Sequence, residues 1–185
     1  MNLKECMALI RNETDYVLTN VDEQAVQKLI DGILKADTVF LFGQGRTGHI
    51  TRAFAVRLMH LGLKVHFVGE TTTPPINPND LCLVNSGTGS TRFSYHVLEA
   101  AREAGATTAT ITAHPDARIG MMADLILTIP APTKGEDFDP DQSRQPAGSL
   151  FEQALFKLLE AIVLMLMEQI GGSRSDLLKR HTNIE

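Results

Sequence analysis

The sequence predicts an α/β fold: a doubly wound sheet of five parallel strands with helices on both faces. Three observations predict it. Short apolar or β-branched runs alternate with amphipathic stretches, the order that builds βαβ units. The runs are continuously apolar, as strands covered on both faces are. Two glycine-rich loops, "GQGRTG" at 43–48 and "SGTGST" at 86–91, each follow such a run and open a helical pattern.

Taken in order, residues 3–17 and 22–34 carry helical spacing, the second with Val26, Leu29, Ile30 and Ile33 on one face. Residues 38–42 form a first strand, ending at Gly43. The next helix carries Ile50, Phe54, Leu58 and Leu61 at helical spacing, and Gly62 is placed to stop it. Strands follow at 64–68, 81–84, 107–112 and 125–129, with a helix at 91–104 closed by Gly105. The stretch 133–148, "TKGEDFDPDQSRQPAG", is too long for a plain connection and reads as a lid, a binding loop or a surface excursion. The helix at 149–170 is apolar almost all round, its polar stripe reduced to Gln153, Lys157, Glu160 and Glu168. Such a helix needs cover on more than one side, which predicts a subunit interface.

The chain is read as one domain: N-terminal helices over 1–36, a sheet core over 37–132, the polar loop at 133–148, and C-terminal helices and tail over 149–185. Its 185 residues suffice for one hydrophobic core. A formal net charge of −5 with scattered basic residues offers no field for nucleic acid. Cys6 and Cys82 sit in unlike contexts, so neither a disulfide framework nor a zinc site is expected. The charged N-terminus is no signal peptide, and Lys157, Glu160 and Glu168 interrupt the most apolar segment, so no membrane span is expected. The expectation is a cytoplasmic protein with no membrane or nucleic-acid partner.

The two loops carry the chemistry. Gly43, Gly45 and Gly48 have the spacing of a dinucleotide-binding turn, and Glu70 sits near where a ribose-binding acid would fall. That reading leaves the second loop unexplained and leaves no room for a substrate domain. In the second loop, Ser86, Thr88, Ser90 and Thr91 put four hydroxyls beside Gly87 and Gly89 where a helix begins. Helix N-termini expose unpaired N–H groups and a positive dipole end, so hydroxyls there complete a cage for a phosphate monoester. In a sheet of order 2-1-3-4-5, strands one and three meet at the switch point, and both loops open onto one crevice.

With these motifs the chain resembles the sugar isomerase (SIS) domain family, whose sheet is flavodoxin-like, and within it the 6-phospho-3-hexuloisomerases. The resemblance rests on "GQGRTG" (43–48), "RLMHLG" (57–62), "GETTTPP" (69–75), "NSGTGST" (85–91), "GSLFEQ" (148–153) and "HTNIE" (181–185). It implies a metal-free, cofactor-free interconversion of a 6-phospho-hex-3-ulose and fructose 6-phosphate, the chemistry of the ribulose monophosphate pathway. It implies that Ser86, Thr88, Gly89 and Thr91 bind phosphate, that Thr47 assists, and that Arg46 lies near the sugar or enediolate oxygens. It further implies a homotetramer with active sites shared between subunits. Thr47 and Thr88 stand where relatives often carry serine, and Ser90 where many carry an acid, so the loop supplies no base.

Moving a carbonyl between C3 and C2 needs a base and groups that stabilise an enediolate. The resemblance makes Glu152 the base; locally, "SLFE" at 149–152 reads as a capping box, and one residue can serve both ends. It also makes His181 catalytic, although a terminal histidine read alone is a solvated tail residue. His60 and His66 read as structural histidines, and Glu70 either helps orient substrate or opens the loop before Pro74 and Pro75. Two other readings stand beside the isomerase: a sugar-phosphate-binding regulatory module without turnover, and a nucleotide-binding α/β domain.

Overall fold

A computed structural model describes residues 1–134, 143–171 and 174–184. Two helices, α1 (Leu3–Leu18) and α2 (Glu23–Lys35), precede β1 (Val39–Gly43), α3 (Gly45–His60) and β2 (Val65–Phe67). Then come β3 (Leu81–Asn85), α4 (Arg92–Glu103), β4 (Thr107–Thr112), β5 (Leu125–Thr128), α5 (Ser149–Ile170) and α6 (Arg174–Lys179). Every strand and helix the sequence predicts is present, with ends moved by a residue or two.

The five strands form one sheet of order β2-β1-β3-β4-β5, and every pairing is parallel. β1 and β3 are buried along their whole length, and β4 at all but its first residue. The edge strands β2 and β5 are only partly buried, so their apolar runs are shorter. From β1 the chain steps one way to β2, and from β3 the other way to β4. Because such crossovers are right-handed, α3 and α4 lie on opposite faces. The chain therefore parts at the C-terminal ends of β1 and β3, where Gly43 pairs with Asn85.

Gly48 shows why the first loop needs glycine. A Cβ there would fall inside the contact distance of the Gly43 carbonyl, because α3 starts directly on the end of β1. Gly48→Ala would ordinarily gain about 1 kcal/mol in a helix; here we expect a net loss of about 2 kcal/mol, read from the urea-unfolding midpoint.

The α5 helix buries Leu150, Phe151, Ala154, Leu155, Leu158, Leu159, Ile162, Val163 and Leu166. Much of its cover comes from its own chain, since α1, α2 and α3 all pack against it. Phe156 and Leu164 remain 44% and 60% exposed, so the unpartnered apolar strip is narrower than the sequence suggests. Residues 135–142 of the polar stretch, together with Gly172, Ser173 and Glu185, lie outside the described residues, so the lid reading of 133–148 is met only at its ends.

The returning end of that stretch is tied down. The Glu13 carboxylate accepts from Ser143 Oγ at 2.7 Å, from Gln145 Nε2 at 2.8 Å and from the Arg144 N–H at 3.2 Å. Burial pushes the Glu13 carboxyl up, but these hydrogen bonds outweigh it and hold its pKa below the ordinary value.

Candidate active site

A crevice of about 330 Å³ opens at the switch point between β1 and β3. Its walls are the first turns of three helices: Gln44 to Thr47 at the start of α3, Thr88, Thr91 and Ser94 around the start of α4, and Gly148, Phe151 and Glu152 at the start of α5. None of the three has a side-chain cap; the N-cap residues are Gln44, Thr91 and Gly148, and none makes a capping hydrogen bond. By contrast, α1 and α2 are capped by Asn2 and Asp22. Three bare N-termini thus converge on one space, bringing unpaired N–H donors and positive dipole ends together. That arrangement suits an anion.

The second loop is held rigidly. Its Ser86 N–H donates to Ile111 O and its Gly89 N–H to Ser86 O, at 3.0 and 3.1 Å. The Ala113 N–H donates to Gly87 O at 3.1 Å, and Arg118 Nη2 donates to Ser90 O at 2.7 Å. Gly89 has φ +60°, and a Cβ there would lie 2.8 Å from Ala117 Cβ. Among the predicted hydroxyls, Ser86 is buried, Thr88 and Thr91 are half-buried, and all three line the crevice. Ser86 Oγ and Thr91 Oγ1 stand 3.5 Å apart, close enough to hold one group between them. Ser90 is exposed and turns its hydroxyl to Thr88 Oγ1 at 3.2 Å; it neither lines the crevice nor caps α4.

Opposite the loop stands Glu152, only 8% exposed. Arg46 Nε donates to its Oε2 at 2.5 Å, joining the starts of α3 and α5. This hydrogen bond first, and the carboxylate charge second, raise the Arg46 pKa above its usual value. The capping box read from "SLFE" does not form. The helix begins at Ser149 itself, with Gly148 in the N-cap position at φ 83°, so no serine stands at the cap and Glu152 falls one position past the place from which a capping box reaches back. Glu152 is therefore free of that duty and faces the crevice.

The structure separates His181 from this group within one chain. His181 stacks on His60 at the far end of α3, with ring centroids 5.0 Å apart. Arg180 Nη1 donates to His60 O at 3.1 Å, a cation on the carbonyl end of that helix. The 16 residues of α3 put about 24 Å between the stack and the crevice. His60 is buried, as a structural histidine is; burial first, then the neighbouring His181 and Arg57 charges, lower its pKa. Glu70 is exposed and is not among the residues that line the crevice.

Several lining residues were missed by sequence reasoning. Asn85 and Ser94 are fully buried, and Asn85 Oδ1 and Ser94 Oγ have no hydrogen-bond partner. Thr133 and Lys134 reach the crevice from the chain beyond β5, and Phe151 packs against Gly87. Only the basic residue opening a long polar stretch, Lys134, carried a readable signal. Among the described residues no group of three or more His, Cys, Asp or Glu side chains is placed to hold a metal ion, and no helix is long and apolar enough to cross a membrane.

An α/β sheet whose switch point gathers hydroxyls and bare helix starts defines an anion-binding class of domain. Residues 32–155 match the SIS domain model, and the chain belongs to the SIS domain family. More particularly, it is 36% identical over 185 residues to 3-hexulose-6-phosphate isomerase of Bacillus subtilis, covering 100% of each chain. It is 41% identical over 179 residues to 3-hexulose-6-phosphate isomerase of Mycobacterium gastri, covering 97% of this chain and 89% of that one. A crystal structure from Methanococcus jannaschii, described as inferring a molecular function of 3-hexulose-6-phosphate isomerase, superposes with a TM-score of 0.85 at 32% identity, over 98% of this chain and 99% of the other.

Proposed function

We propose that this chain is a phosphosugar isomerase interconverting 6-phospho-hex-3-ulose and fructose 6-phosphate. The observation that carries the reading is the meeting of three uncapped helix N-termini and the Ser86–Thr91 hydroxyls with one buried carboxylate, Glu152. Full-length similarity to the two isomerases supports the choice of substrate. The finer setting we propose is the cytoplasm, with the ribulose monophosphate route of formaldehyde assimilation as the pathway.

The chemistry follows from the groups present. The second loop holds the phosphate through the Ser86, Thr88 and Thr91 hydroxyls and the main chain around Gly89, with Thr47 closing from the first loop. Glu152 removes the C2 proton of the 3-ulose; the C–H electron pair becomes the C2–C3 double bond, and the carbonyl electrons move to O3. As Glu152 takes the proton its charge vanishes, and Arg46 is left facing the new enediolate. The proton returns to C3, while a proton passes from O2 to O3. We assign that shuttle to His181 of a neighbouring subunit in a homotetramer, since the same chain's His181 stands at the wrong end of α3.

Ser86→Ala and Thr91→Ala leave the backbone donors in place but each removes a hydrogen bond to a charged group, about 1.5–3 kcal/mol. We expect at least about tenfold weaker binding of fructose 6-phosphate, measured by thermal-shift titration; undiminished binding would remove these hydroxyls from the site. The reaction is tested by NMR of fructose 6-phosphate in heavy water with the protein. Deuterium at C3 with a hex-3-ulose signal is the expected result. Deuterium at C1 would instead indicate an aldose product, and an unchanged spectrum with retained binding would indicate the regulatory module.

A further inference from the structure

We propose that Lys134 is the cation that balances the substrate's phosphate throughout the reaction, an inference that deepens the phosphosugar reading and rests on it. The lining residues of the crevice carry three charged side chains: Arg46, Glu152 and Lys134. Arg46 and Glu152 neutralise each other. Among the described residues no ion pair includes Lys134. A phosphate monoester brings about −1.5 to −2 charges at neutral pH. The hydroxyls and helix ends answer it only with partial charge.

The timing of charge divides the two cations. When Glu152 accepts the substrate proton it becomes neutral, and Arg46 gains a free positive charge as the enediolate gains its negative one. Arg46 therefore answers the charge that appears during the reaction. The phosphate charge is constant from substrate to product and falls to Lys134. A contact equally strong in ground and transition states lowers KM without raising kcat.

Lys134 is aimed by its neighbour. Thr133 is 5% exposed and its Cγ2 packs on the phosphate loop, 3.3 Å from where a Cβ on Gly87 would stand. Thr133 Oγ1 pairs with His114 Nε2 at 3.0 Å, and the His114 N–H donates to Thr112 Oγ1 at 3.1 Å, at the end of β4. The chain is thus pinned to the sheet one residue before the lysine, at the loop that holds the phosphate. His114 and Thr133 are positioning residues; Lys134 makes the contact.

The test compares Lys134→Met and Lys134→Arg with the wild type. Calorimetry gives the affinity for fructose 6-phosphate and for inorganic phosphate, and steady-state kinetics gives KM and kcat. Lys134→Met is expected to weaken binding of both ligands and raise KM by about tenfold to a hundredfold, with kcat within about twofold of wild type. Lys134→Arg should recover most of the loss. Unchanged affinity in Lys134→Met overturns the proposal, as does a fall in kcat at constant KM, which would move the lysine to the enediolate. Wild-type protein that binds inorganic phosphate through Lys134 but ignores fructose 6-phosphate would overturn the substrate reading while leaving this one standing. Wild-type protein that binds neither would overturn both.

Discussion

Glu152→Gln is expected to lower turnover by about two to four orders of magnitude while leaving stability close to wild type. The amide cannot take a carbon-bound proton. It does keep the size of the carboxylate and offers an oxygen to Arg46, whose side chain is 72% exposed and loses little when its partner's charge is removed. No helix cap is disturbed, because the α5 helix starts from Gly148 and makes no side-chain cap. Binding of fructose 6-phosphate should survive, since the phosphate loop is untouched. Assay, thermal denaturation and ligand titration on one preparation check all three points. Near-normal turnover would reduce Glu152 to a counter-ion for Arg46.

The second large effect concerns His181. Glu152→Gln and His181→Ala are each expected to be nearly inactive, yet unfolding them together and refolding the mixture should restore about a quarter of wild-type activity. With equal mixing, half of the sites draw Glu152 from an intact chain, and half of those draw an intact His181 from a neighbour. The expectation rests on geometry: the stack of His181 on His60 lies a full α3 helix away from Glu152. Native mass spectrometry confirms mixing. Mixed oligomers without recovered activity would remove His181 from the site.

The fold was legible because its signals are local. Val26, Leu29, Ile30 and Ile33 mark the buried face of α2, and all four are buried. Gly62 and Gly105 end their helices at φ 91° and 82°, conformations that glycine adopts without penalty. The two loops were legible for the same reason, since hydroxyl and glycine density needs no tertiary knowledge. Partners brought together by the fold were not. Arg46 and Glu152 are 106 residues apart in the chain, and no spacing rule links them. Asn85 reads as the residue that follows the strand at 81–84 and Ser94 as an ordinary helix position; only their unpartnered polar atoms mark them. The capping box failed because a left-handed glycine at 148 starts α5 one residue earlier than "SLFE" implies. How much of α5 its own chain covers was not legible, because the sequence shows how apolar a helix is but not which of its neighbours will pack on it.

The bare starts of α3, α4 and α5 have a consequence for the protein's lifetime. Main-chain donors left waiting for an anion make the empty protein less complete than the occupied one, so its metabolite acts as a folding ligand. At a hundred times its dissociation constant, a bound sugar phosphate adds about 2.7 kcal/mol to the free energy of unfolding. Protease attack that proceeds through globally opened molecules slows by about a hundredfold with that gain. With the proposed substrate as that ligand, the expected result is a half-life under protease that lengthens as fructose 6-phosphate is added, with no regulator beyond the ligand itself.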